Sequence, residues 1–143
     1  MSRHGYSDNC ENLAMWRGVI ASAARGKRGQ AFFRALIEAL DGMPEKRLVV
    51  GELRDAEGSV CALGCLGQAR GVDIGSVDTE DWGKLGELFD IAPQLAQEVM
   101  FVNDEDFRGR HSPEERWRVV RAWVARQIHP SAAELIRREE SNV

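Results

Sequence analysis

The chain is short of the residues that mark several protein classes. It has 3 cysteines, Cys10, Cys61 and Cys65, an odd number, and residues 1–16 lack the unbroken apolar stretch of a signal peptide. Reduced thiols in a cytoplasmic protein are therefore the expectation, and a secreted disulfide scaffold is not. No apolar run approaches the roughly 18 residues of a membrane span, so no membrane partner is expected. Prolines number 4, namely Pro44, Pro93, Pro113 and Pro130, which leaves long stretches where a helix can run without losing a hydrogen bond. What is present is an ordinary composition for one domain: 143 residues, 43% hydrophobic and 29% charged. A chain of that size buries roughly two-thirds of its unfolded surface and needs neither disulfide nor metal to hold a core.

Periodicity predicts a mainly α, single compact helical domain of five or six helices, with at most a small two-stranded β-hairpin. Residues 1–9 read as a flexible tail, 10–130 as the helical domain and 131–143 as a frayed C-terminal extension. Leu13, Trp16, Ile20 and Ala23 or Ala24 recur at helical spacing up to the basic turn Arg25–Gly29, and Phe32, Phe33, Leu36, Ile37 and Leu40 form the stripe of a second helix ending near Gly42. Residues 47–53 are the most strand-like, and a return strand or irregular segment leads into a helix near Cys61. Asp78-Thr79 is the expected N-cap of the next helix, with Glu80 and Asp81 in its first turn. Pro93 suits the first position of another. Ser112, Pro113 and Glu115 form the clearest signal, a capping box opening the helix that runs to about Ile128. The expected core includes Trp16, Phe32, Phe33, Leu36, Leu66, Trp82, Leu88, Phe89, Val99, Trp117 and Trp123.

Charge is distributed unevenly. Net charge is −4, yet residues 71–106 hold ten carboxylates against Lys84 alone. A local acidic field of this kind attracts basic partners and repels nucleic acid. Asp78, Glu80, Asp81, Glu87, Asp104 and Asp106 are the candidate partner-binding residues. A solvated face that pairs with the basic ends of the same chain is the alternative for the same charges.

Other constellations are weaker. His4, His111 and His129 show no metal-ligand spacing, and Cys61 with Cys65 lacks a second ligand pair, so no metal and no cofactor are expected. At a helix start Cys61 would gain nucleophilicity from the dipole, with Asn103, Asp104 and His111 as the remaining parts of a thiol enzyme. Asp104, Asp106, Gly109 and Glu115 fall on positions one, three, six and twelve of a calcium loop, but Arg108 occupies a ligand position. Arg25, Lys27 and Arg28 precede a helix and offer a corner for nucleic acid, against an acidic overall balance.

Val60-Cys-Ala-Leu-Gly64, the segment Phe89–Ala96, Asn103-Asp104 and the Ser-Pro-Glu-Glu-Arg116-Trp helix together resemble a loose group of short uncharacterised proteins encoded in bacterial genomes, prophages and phages. The group shares a Cys-x-x-Gly turn and a later Asn-Asp before the final helix, and it brings no established activity. The side chains of Asn103 and Asp104 can bond backbone groups of a neighbouring turn. Cys61, Gly64, Asn103 and Asp104 are thus expected to be a structural motif that clamps the Cys61–Gly64 turn against the last helix. The resulting expectation is a non-enzymatic protein-binding accessory module, phage or mobile-element encoded, acting on a protein partner such as a nucleic-acid-binding host defence complex of the CRISPR effector kind. A thiol-dependent enzyme using Cys61 and a weak nucleic-acid-binding helical protein are the alternatives.

Overall fold

The computed structural model describes residues 10–104, 111–130 and 132–141; the expected tail over residues 1–9 lies outside them. Seven helices lie among the described residues: α1 (Cys10–Arg25), α2 (Lys27–Asp41), α3 (Ala62–Ala69), α4 (Trp82–Phe89), α5 (Pro93–Asp104), α6 (Pro113–Gln127) and α7 (Ala132–Ser141). Two of them organise the rest. Helices α1, α3 and α6 each pack against both α2 and α5, and α4 packs on α5.

Close approach of α1 and α2 depends on Gly29, because a Cβ there would lie 2.0 Å from the Ala23 carbonyl oxygen. The basic turn is shorter than the sequence suggests: only Gly26 interrupts the helices, and Lys27, Arg28 and Gly29 already belong to α2. Phe32, Phe33, Leu36 and Leu40 on α2 are completely buried. Phe32 meets Phe33 and Phe89 edge-to-face, with centroids 5.2 and 6.3 Å apart, and Phe33 meets Trp123 at 5.5 Å. Each such side chain contributes roughly 1.5–3 kcal/mol by leaving water. Trp82, Leu88, Trp117 and Trp123 pack against this core only partly buried. Trp117 also ties α6 to the end of α2, its indole donating to the Leu40 carbonyl at 3.1 Å.

The strand-like stretch forms no strand among the described residues. Arg54 and Val60 make a single antiparallel bridge around a turn in which the Asp55 carboxylate accepts from the Ser59 and Glu57 amides. Val49 N–H donates to Val60 O, Cys61 N–H to Leu53 O, and Leu48 N–H to Pro113 O. The segment divides its backbone groups between the 59–61 arm, Pro113 and the side chains of Asn103 and Asp104, which take Val49 O and Gly51 N–H, and no regular ladder forms among the described residues.

Helix boundaries follow local chemistry in most places. Ser112 caps α6 by accepting from Glu115 N–H at 3.1 Å, and Pro113 opens the helix. At α4 the expected cap is corrected: Asp81, not Asp78, accepts from Lys84 N–H. Asp78 instead closes a turn onto Glu80 N–H at 2.8 Å. Ile74, buried beside α3, holds the preceding loop down, so the chain reaches Trp82 before it can turn into a helix. Residues 132–141, expected as a frayed extension, form α7, which Arg34 holds through a two-oxygen contact with Glu134 at 2.9 and 3.0 Å.

Candidate functional site

Two groups of residues singled out by sequence take separate places. The first surrounds the start of α3. Cys61 is its N-cap, and the thiol accepts from Gly64 N–H at 3.4 Å. Gly64 is needed there because a Cβ would stand 1.8 Å from the Leu53 carbonyl oxygen. Asn103, fully buried at the last turn of α5, accepts from Ala62 N–H at 3.0 Å through Oδ1. Its Nδ2 donates to Val49 O at 2.9 Å and to the Asp104 carboxylate at 2.8 Å. Asp104 also accepts from Gly51 N–H at 3.2 Å. From α6, Arg116 donates to the Asn103 carbonyl. One amide side chain therefore joins α5, the start of α3 and the 49–51 loop, while its backbone oxygen joins α6.

Asp104 was a candidate for both the acidic surface and the motif. It is half-buried and its carboxylate is engaged by the motif. Asp106 lies outside the described residues. Arg116 was missed in the sequence, where it is one of four arginines in a helix and nothing in its spacing distinguishes it.

The chemistry at Cys61 runs opposite to that of a nucleophile. Burial pushes its thiol up to about 12, outweighing the opposing backbone hydrogen bond from Gly64, and its Sγ lies 3.7 Å from the Met100 sulfur. Burial also pushes Cys65 up, to about 11. A thiol enzyme needs a lowered pKa and access for substrate, and Cys61 is 0% exposed. Of the calcium-loop positions, Asp104 is engaged by the motif and Asp106 and Gly109 lie outside the described residues, among which no group of three or more potential metal ligands occurs.

The second group is the acidic one. Asp73, Asp78, Glu80, Asp81, Glu87 and Asp90 are all exposed along the loop before α4 and on α4 itself. Three of them spend an oxygen locally: Asp73 on Gly75 N–H, Asp78 on Glu80 N–H and Asp81 on Lys84 N–H. Asp90 pairs with Arg28 at 3.3 Å across an exposed gap. Glu80 and Glu87 cap no backbone group among the described residues. No helix among the described residues is long and apolar enough to cross a membrane. No family model matches the chain, and neither a curated protein nor a solved structure matches it.

Proposed function

We propose that this protein is a non-enzymatic binding module that presents the acidic surface before and along α4 to a basic protein partner. The observation that supports this reading is the exposure of six carboxylates between Asp73 and Asp90, interrupted by Lys84 alone. An excess of negative charge on a surface speeds encounter with a complementary one and disfavours nucleic acid itself. The basic grooves of nucleic-acid-binding complexes fit that chemistry. Resemblance to phage-encoded proteins makes a host defence complex, such as a CRISPR effector, the specific partner proposed.

The test must separate binding from folding. Asp78 and Asp81 hold local turns, so reversing them changes the fold as well as the charge. Glu80→Lys with Glu87→Lys reverses charge without removing a cap. The double variant is expected to keep the wild-type circular dichroism spectrum and to lose a large complex that the wild type captures from host lysate. A complex captured equally by both overturns the proposal.

A further inference from the structure

A groove of about 840 Å³ runs between α1, the first turn of α2 and the α4–α5 turn. Met15, Val19, Ala23, Ile91 and Ala92 line it, and it is widened by glycines. At Gly18 a Cβ would meet nothing within 4 Å. Met15 is 72% exposed and Val19 41%, so the chain leaves two large apolar side chains in water on one helix face. Methionine on an open surface adapts to varied apolar partners, and a contiguous apolar patch with a polar rim is the usual mark of a binding surface.

The rim has one sign of charge in excess. Lys27 and Arg28 line the groove and Arg25 adjoins it, all exposed. Lys27 and Arg28 stand at the positive end of α2, whose N-cap Gly26 supplies no side-chain acceptor and whose first turn has no acidic residue, whereas Arg25 closes α1. Two cations at the positive end of a helix dipole are unfavourable for the isolated chain and favour a negative group beside them, and Arg25, which complements the negative end of α1, adds a third positive charge to the same corner. Asp90, paired with Arg28, is the carboxylate that already reaches this corner.

We propose that this groove docks an acidic amphipathic helix of a partner protein, with its apolar residues over Met15 and Val19 and its carboxylates on Arg25, Lys27 and Arg28. Such a segment would use the helix-in-groove mode, anchored at positions i, i+3, i+4 and i+7. The inference rests on the charge and shape of the α1–α2 corner, which adjoins the acidic surface at the Arg28–Asp90 pair, and it does not require that surface to bind anything.

The test is selection of displayed helical peptides from a randomised library against the full chain. Enriched peptides are expected to combine Leu, Met or Phe at helical spacing with Asp or Glu. A synthetic peptide of the enriched sequence should shift the amide resonances of Gly18, Gly26 and Gly29. Val19→Glu and Gly18→Leu should each weaken its binding at least about tenfold, as should Arg25→Glu with Lys27→Glu. Gly18→Leu serves as the second variant because it fills the groove from open space and exchanges a helical glycine for a better helix former. Enrichment of basic peptides, no enrichment, or binding indifferent to Val19→Glu and Gly18→Leu overturns the proposal. It is equally overturned if the same resonances move with protein concentration alone, which places a second copy in the groove, or with phosphatidylcholine–phosphatidylglycerol vesicles alone, which places a lipid surface there.

Discussion

At the scale of single residues, Cys61 shows burial overriding a helix terminus. The dipole and the Gly64 amide favour a thiolate, but the loss of solvation costs more, and the proton is held up to about 12 against an ordinary 9.0. A group that binds its proton more tightly in the folded chain contributes stability that is fully present below the unfolded pKa and is lost as pH rises. Stability should therefore fall from about pH 9 towards pH 12, with Cys61, and up to about pH 11 also Cys65, each contributing about 1.4 kcal/mol per pH unit. Denaturant melts across that range check the slope, and Cys61→Ser, which keeps a side-chain cap, should reduce it to the share of Cys65. Alkylation should leave Cys61 and Cys65 unmodified until the chain unfolds. Gly64 is sensitive for a steric reason. Gly64→Ala forces a methyl against the Leu53 carbonyl and is expected to destabilise by about 3 kcal/mol, measured by the same melts. The buried Glu98, which accepts from the Trp16 indole at 2.9 Å, makes a matched pair of outcomes. Glu98→Gln keeps an acceptor for the indole, whereas Glu98→Ala removes it and should cost about 1–3 kcal/mol more.

At the scale of elements, the boundaries that sequence disclosed are those set by a few adjacent residues. Ser112 and Pro113 at α6, Pro93 at α5 and Gly42 after α2 act through their own backbone and side-chain chemistry, so they are legible without a fold. Where tertiary contacts decide, the reading shifts. The start of α4 moved from Asp78 to Asp81 because Ile74 ties down the loop before it. The hairpin reduced to one bridge because Leu48 bonds Pro113, and Val49 O and Gly51 N–H go to the side chains of Asn103 and Asp104 instead of to the facing arm. The candidate site divides in the same way. Asn103 and Cys61 could be singled out because an amide at a helix end and a thiol at a helix start have few structural uses, but Arg116 emerged only once α6 was seen beside α5. Asn103→Ala is expected to cost about 2–4 kcal/mol, since it strands Ala62 N–H and Val49 O together. Its measurement by chemical unfolding should show the loss even though no helix interior is touched.

At the scale of the whole molecule, α2 and α5 share three neighbours, and a single apolar cluster runs from Ala24 on α1 to Val124 on α6. No helix in that set can leave without exposing the others. Unfolding should therefore be two-state, with tryptophan fluorescence and far-ultraviolet circular dichroism giving the same midpoint; separate midpoints would show that part of the chain folds independently. Gln30 reinforces this unity by donating to both Ala24 O and Gln127 O while accepting from His129 N–H, so the ends of α1 and α6 meet on one side chain.

The clamp at Asn103 also gives the protein a chemical clock that runs only when it is open. Hydrolysis of a side-chain amide through attack by the following backbone nitrogen requires a mobile chain, and in the folded state Asn103 sits buried in a helix with both ends of its amide engaged. Once unfolded, Asn103 is followed by the small side chain of Asp104 and loses that protection. Each chain that loses ammonia there, through a cyclic imide that water reopens to aspartate or isoaspartate, carries a carboxylate in place of the Nδ2 that had donated to Val49 O and Asp104, so two attractions are lost to repulsion between acceptors or to a displaced side chain. Long residence in the unfolded state thus erodes the ability to return, and refolding yield becomes a record of time spent denatured.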